Sequence, residues 1–199
     1  MSTDTREQLL DTAEALFAER GFYGVSIAAI ADELGLTKQA LLHHFGTKEK
    51  LYGEVLKRIS NTFETAQIEA RQTGDDPVTQ LKSFLLFQLT AVSTDQARAA
   101  LLMRELLDNK RRADTASTWY LKPFLESLVE MVQAVPAWAN ASEAAALATA
   151  YQLLGAINYY AVSGPTLVGI FGDSRVGALD AAFPGQFEAL IDAALSSRS

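Results

Sequence analysis

The chain has 199 residues, is 49% hydrophobic, carries a net charge of −7 and contains no cysteine. That length and composition allow one larger domain or two small ones with a sizeable core, and the missing cysteine excludes disulfides, cysteine-ligated zinc and thiol catalysis. No uninterrupted apolar run approaches the roughly 20 residues of a membrane span, and the polar start from Met1 to Glu7 lacks a signal-peptide core; the expectation is a cytoplasmic protein with no membrane partner. The acidic balance does not by itself suggest a nucleic-acid binder. Within 34–58, however, Lys38, Lys48, Lys50, Lys57 and Arg58 face only Glu49 and Glu54. A small cationic face can hold phosphates on an acidic body, because charges are screened beyond about 8 Å at physiological salt.

Helix signals dominate, and no strand pair is evident. Asp4 with Glu7 reads as a capping box opening a first helix, with Leu9, Ala13, Leu16 and Phe17 at helical spacing and Gly21 as its stop. Ser26 can cap a short second helix bearing Ile27, Ile30, Ala31 and Leu34, ended by Gly35. Thr37 can cap a third, Lys38 to His44, closed by Gly46. Thr47 then opens a long helix to about residue 71, with Leu51, Val55, Ile59 and Phe63 on one face. Asp76 and Pro77 start the next, carrying Leu81, Phe84, Leu85, Gln88 and Leu89. Ser93 with Gln96 reads as a capping box for a helix through Leu107, followed by a charged connection over 108–113. A helix over 114–135 contains Pro123 as an expected kink and ends at Pro136. Asn140 with Glu143 caps an alanine-rich helix to about Ser163. Five glycines and two prolines make 164–185 an expected loop before a last helix over 184–196. The fold class is all-α, with about nine helices: an N-terminal three-helix domain over 1–46, and a larger helical domain over 47–199 that 47–71 connects to it.

Ser26 to Leu51 carries the functional pattern. A helix-turn-helix needs a small residue where its helices cross, here Ala31, and a residue tolerant of positive φ at the turn, here Gly35. Leu36, Leu41 and Phe45 supply the inner face. The outer face must be polar to enter a major groove, and Lys38, Gln39, His43 and His44 fit. The two histidines are adjacent, so on a helix they point about 100° apart and cannot chelate one metal ion together. They are the only histidines, so no histidine-based triad or di-iron site can be built elsewhere, and neither cofactor nor metal is expected.

The run Leu36-Thr37-Lys38-Gln39-Ala40-Leu41-Leu42-His43-His44-Phe45-Gly46-Thr47-Lys48-Glu49-Lys50-Leu51 closely resembles the recognition helix and fourth-helix start of TetR/AcrR-family regulators. Ala13 to Phe17, Arg20-Gly21-Phe22 and Ser26 to Ala31 resemble the family's upstream segment. The resemblance covers roughly residues 6–52. It implies that Ser26 and Thr37 cap helices while facing phosphates. It also implies that Lys38, Gln39 and Ala40 open the recognition helix, that His43 and His44 follow one turn on, and that Lys48 grips phosphate at a helix start. Two positions depart from the family: Leu42 stands where a phosphate-contacting tyrosine is common, and Gln39 replaces a common glycine and can offer an adenine contact.

The resemblance further implies a homodimer on a near-palindromic double-stranded DNA operator, most simply as a repressor, with an unidentified small-molecule effector. In the family, helices 5 to 7 enclose the ligand and helices 8 and 9 form the dimer interface. Ala145, Leu147, Ala148 and Leu154 with Phe187, Leu190 and Ile191 are the expected interface residues. Phe84, Gln88, Met103, Arg104, Trp119, Phe124, Asn158 and Tyr159 are the expected pocket residues, an aromatic set with few polar anchors that suits a mostly apolar ligand. Two other readings compete. One is an all-helical enzyme using Glu105 with Asp108, or Asp75 with Asp76; the other is a DNA-binding adaptor controlled by a partner protein. No nucleophile–base pair or phosphate loop accompanies the carboxylates, so no catalytic residue is assigned and a regulator is favoured over an enzyme.

Overall fold

A computed structural model describes residues 3–74, 76–112 and 120–196. Among these there are nine α-helices and one 3-10 turn, and no strand. They are α1 (Thr3–Gly24), α2 (Ile27–Glu33), α3 (Lys38–Phe45), α4 (Lys48–Gln72), α5 (Pro77–Thr94), α6 (Gln96–Arg112), α7 (Lys122–Ala134), the 3-10 turn Pro136–Trp138, α8 (Glu143–Phe171) and α9 (Asp173–Ser196).

The contacts divide the chain into two units, one of residues 1–61 with 97–121 and one of 62–96 with 122–199. This differs from a simple split at residue 46. Nearly all of α6 belongs with the N-terminal helices, and α4 contributes to both units.

In the first unit, α1 buries Leu9, Ala13, Leu16 and Phe17. Phe17 meets Tyr52 of α4 edge-on at 4.9 Å, and Tyr52 meets Phe22 at 5.0 Å. Glu14 is also buried, yet it is paired twice: with Arg58 of α4, and with Arg98 of α6 at 3.0 Å. Hydrogen bonds and charge from Glu14 and Asp11 outweigh the burial of Arg58 and hold its pKa above the ordinary value. Tyr52 donates to the buried Glu105 carboxylate at 2.8 Å.

The second unit packs α7 and α9 on α8, with α5 against both α8 and α9. Its core holds Leu81, Phe84, Leu85, Phe124, Leu128, Leu153, Ile157, Phe187 and Ile191. Lys82 of α5 reaches Glu188 and Asp192 of α9, each at 2.9 Å. Trp138 donates its indole N–H to the Ala194 carbonyl.

Several boundaries differ from expectation. α1 begins at Thr3, so Asp4 lies inside it, and it runs to Gly24 across a break at Gly21. α5 continues to Thr94; the Ser93 hydroxyl bonds back to the Leu89 carbonyl rather than capping the next helix. The expected connection over 108–113 is largely α6. Pro123 is no kink: it sits in the first turn of α7, where its missing N–H costs nothing. Ser142, not Asn140, caps α8 by accepting from the Ala145 N–H.

The largest correction is the expected loop over 164–185, which is helix on both sides of Gly172. Pro165 and Pro184 lie inside α8 and α9. Packing against α5 and the neighbouring helix outweighs their local cost. As a result α8 carries no charge after Glu143, and by length and composition alone it is apolar enough to cross a membrane, though Gln152, Asn158 and Ser163 interrupt its apolar run. One face of it packs on α5, α7 and α9, and the opposite face is exposed.

Gly21 has φ 71 and ψ 169, a region open essentially to glycine alone. Gly21→Ala is expected to lower the unfolding free energy by about 1–3 kcal/mol, read as a drop in urea midpoint at unchanged slope.

Candidate nucleic-acid interface

The geometry of the site begins with three side-chain caps. The Ser26 hydroxyl accepts from the Ala29 N–H at 3.0 Å, Thr37 from Ala40 at 3.2 Å, and Thr47 from Lys50 at 3.2 Å. Each cap leaves further helix-start N–H groups facing outward, a ready anion site. Between α2 and α3, the Leu34, Gly35 and Leu36 N–H groups fold back onto the Ala31 and Asp32 carbonyls, with Gly35 at φ 63. Ala31 is fully buried there, which is why the crossing needs a small residue.

α3 rests on Leu41 and Phe45, which are buried. That leaves Lys38, Gln39 and His43 exposed and Ala40 and His44 half-exposed. Ser26 and Thr37 are exposed beside them. His44 lies against Phe45, its ring 6.2 Å away. Leu42 is half-buried and offers no hydrogen bond to a phosphate.

Lys48 is held rather than free-swinging. Its ammonium sits 4.3 Å over the Phe22 ring. Burial pulls its pKa below the ordinary lysine value, while Glu49 pushes it back up. Arg6 lies 5.0 Å over the Phe45 ring and bonds Glu54 at 3.0 Å, steadying the inner side of α3.

The expected pocket residues do not gather. Arg104 donates to the Ala18 carbonyl at 2.9 Å and to the Glu19 carbonyl at 2.8 Å, so it caps the first stretch of α1 instead of facing a ligand. Met103 belongs to the same unit. Tyr159 is 72% exposed on the outward face of α8, and Trp119 lies outside the described residues. Asp75 and the Asp108 side chain also lie outside them, and Glu105 is committed to Tyr52.

Phe84, Gln88, Phe124 and Asn158 do share the second unit. Phe124 stacks at an angle on Phe63 at 4.9 Å and on Phe84 at 6.2 Å. Gln67 donates from Nε2 to the Phe124 carbonyl at 3.2 Å. Buried and without a hydrogen-bond partner are Gln67 Oε1, Gln88 Nε2 and Asn158 Oδ1. Gln67 escaped the sequence reading, and Phe63 was placed on the apolar face of α4 but not among the pocket residues. The signal was present: they are one turn apart on the apolar face of α4.

Of the expected interface residues, Phe187 and Ile191 are buried in their own chain and cannot meet a partner. Leu147 and Leu190 are 43% and 46% exposed, Ala148 is exposed, and Ala145 and Leu154 are half-exposed. Tyr151, at 54%, joins Leu147 on the outer face of α8.

Residues 9–55 match the family model described as bacterial regulatory proteins, tetR family. Among curated proteins the chain is 30% identical over 101 residues to the HTH-type transcriptional repressor KstR2 of Rhodococcus jostii, covering 51% of this chain and 50% of that protein. It is also 30% identical over 101 residues to the HTH-type transcriptional regulator AcrR of Shigella flexneri, covering 50% and 46%. The match thus spans about half the length of these relatives. Two solved structures share the fold. A TetR-like transcriptional regulator from Rhodococcus aligns with TM-score 0.68 at 23% identity, covering 99% of each chain. The fatty acid degradation regulator FadR from Bacillus halodurans aligns with TM-score 0.70 at 15% identity, covering 96% of each. The capped, outward-facing third helix lies within the residues that match the tetR family model, so that N-terminal segment is a tetR-like helix-turn-helix.

Proposed function

We propose that the chain is a homodimeric, ligand-responsive repressor that reads a near-palindromic operator with α3. The observation that carries this reading is the division of labour on α3: Leu41 and Phe45 anchor it, and Lys38, Gln39 and His43 face outward beside the capped helix starts at Ser26 and Thr37. Those N-termini and Lys48 hold phosphates and set register, while Gln39 reads a base edge. Curated relatives named as repressors make repression the simpler reading. Two copies of α3 related by a two-fold axis would enter successive major grooves about 34–36 Å apart.

The dimer contact is the outer face of α8, where Leu147, Ala148, Tyr151 and Gly155 follow one another at helical spacing, extended by Leu190 of α9. The effector is a mostly apolar molecule with one or two hydrogen-bonding groups. It meets Phe63, Phe84 and Phe124 and uses the unmatched amide atoms of Gln67 and Gln88. An unpaired buried amide is costly, so a ligand that pairs it gains in one conformation and shifts the equilibrium towards it.

Titration of the upstream DNA by fluorescence anisotropy tests the assignment; affinity equal to that for random DNA defeats it. Gln39→Ala is expected to cost about 1–3 kcal/mol on the operator and to relax discrimination at one base pair per half-site. Lys48→Ala instead weakens binding to all sequences and lowers the slope of log K against log salt by about 0.9 for each phosphate released. Tyr151→Glu puts an unpaired charge in the proposed contact. Sedimentation should show a dimer for the parent chain and a folded monomer for the variant, with operator affinity lost. A parent chain that sediments as a monomer rejects the dimer.

A further inference from the structure

The second unit contains a groove whose lining includes none of Phe63, Gln67, Phe84, Gln88 and Phe124. It lies between the C-terminal half of α5, the 160–167 stretch of α8 and the start of α9, with a volume of about 510 Å³. That size is within the about 300–1,000 Å³ of small-molecule sites. Leu86, Leu89, Leu167 and Val176 give it apolar walls.

Its polar chemistry is one-sided. Among the described residues, Asp180 is the only charged one lining it. That carboxylate accepts from the Tyr160 hydroxyl at 2.8 Å, and no cationic side chain pairs with it among the described residues. Burial, then the hydrogen bond and charge of Asp180, push the Tyr160 phenol up to about 12, so it keeps its proton and remains a donor. The Tyr160 ring is fixed by stacking on Phe183 at 3.8 Å and 7°. Thr90 and Ser93 spend their hydroxyl protons on the Leu86 and Leu89 carbonyls, at 3.0 and 2.8 Å. Towards the groove they offer lone pairs. Among the lining side chains, only Gln96 keeps amide donors.

A carboxylate and two hydroxyl oxygens would repel an anion. They complement an ammonium, and the apolar walls beside them suit a hydrocarbon or aromatic body. We propose that this groove binds an amphipathic organic cation, with its ammonium on Asp180 and its apolar part against Leu89, Leu167 and Val176. The site does not depend on the DNA-binding or effector readings, and its test uses no DNA.

Three indoles that differ only in their head group make the probe: tryptamine (cation), tryptophol (neutral) and indole-3-acetate (anion). Each is titrated into the full chain by calorimetry, with two-dimensional NMR to locate the shifts. Tryptamine is expected to bind about tenfold more tightly than tryptophol, indole-3-acetate most weakly, with shifts at α5, α8 and α9. D180N should bring tryptamine to the tryptophol level, whereas Y160F should keep the preference for the cation. Equal affinities for all three, no tryptamine binding, or a cation preference that survives D180N would each overturn the proposal.

Discussion

The first unit turns on one buried carboxylate. Glu14 of α1 lies inside the packing and is met by Arg58 from α4 and Arg98 from α6. Apolar packing is non-directional and tolerates rotation of one helix against another. A buried charge does not: if it loses a partner, the charge that remains is left in a medium that solvates it poorly. Three helices are therefore fixed in azimuth by a single side chain. Phe17 and Tyr52 then pack edge-on across α1 and α4, and α2, which touches both α1 and α3, inherits that frame. The pose of α3 rests on this packing through α2.

α6 takes part in the same frame, which its place in the sequence does not suggest. Besides Arg98, it supplies Arg104, which closes the Ala18 and Glu19 carbonyls just before the break at Gly21, and Glu105, which receives the Tyr52 hydroxyl. Carbonyls near a helix end lack intrahelical donors. A guanidinium with two donors in a fixed fork suits two successive carbonyls better than a lysine would. The same polar groups that looked like ligand anchors or a catalytic carboxylate are structural, because their partners come from α1 and α4, more than fifty residues away in sequence.

This contrast explains what was legible. The helix-turn-helix is written locally: Ser26, Thr37 and Thr47 each cap a helix start three residues on, and Gly35 and Gly46 both adopt positive φ. Short-range rules suffice there. The remaining helices are written in long-range contacts, and residue type alone misled: Arg104 became a cap, Tyr159 an exposed face, and Phe187 and Ile191 core. Gln67 was missed because a glutamine on a long helix reads as surface, whereas this one is buried against the Phe124 backbone. The glycine- and proline-rich 164–185 stretch failed for a related reason. Propensity rules price each residue alone, and a helix packed along its length can carry several poor formers.

Those glycines are themselves informative. Gly155, Gly164, Gly169, Gly177 and Gly185 lie in α8 and α9, and a Cβ added at any of them would meet nothing within 4 Å. Each costs about 1 kcal/mol relative to alanine in a helix interior, and no crowding within the chain requires it. Gly155 and Gly169 fall on the stripe of α8 that also presents Leu147 and Tyr151, opposite the face that buries Leu153 and Ile157. Glycine on an exposed apolar stripe is uneconomical for an isolated helix. It becomes favourable when another helix backbone packs close against it, which is the arrangement a two-fold contact through α8 would create.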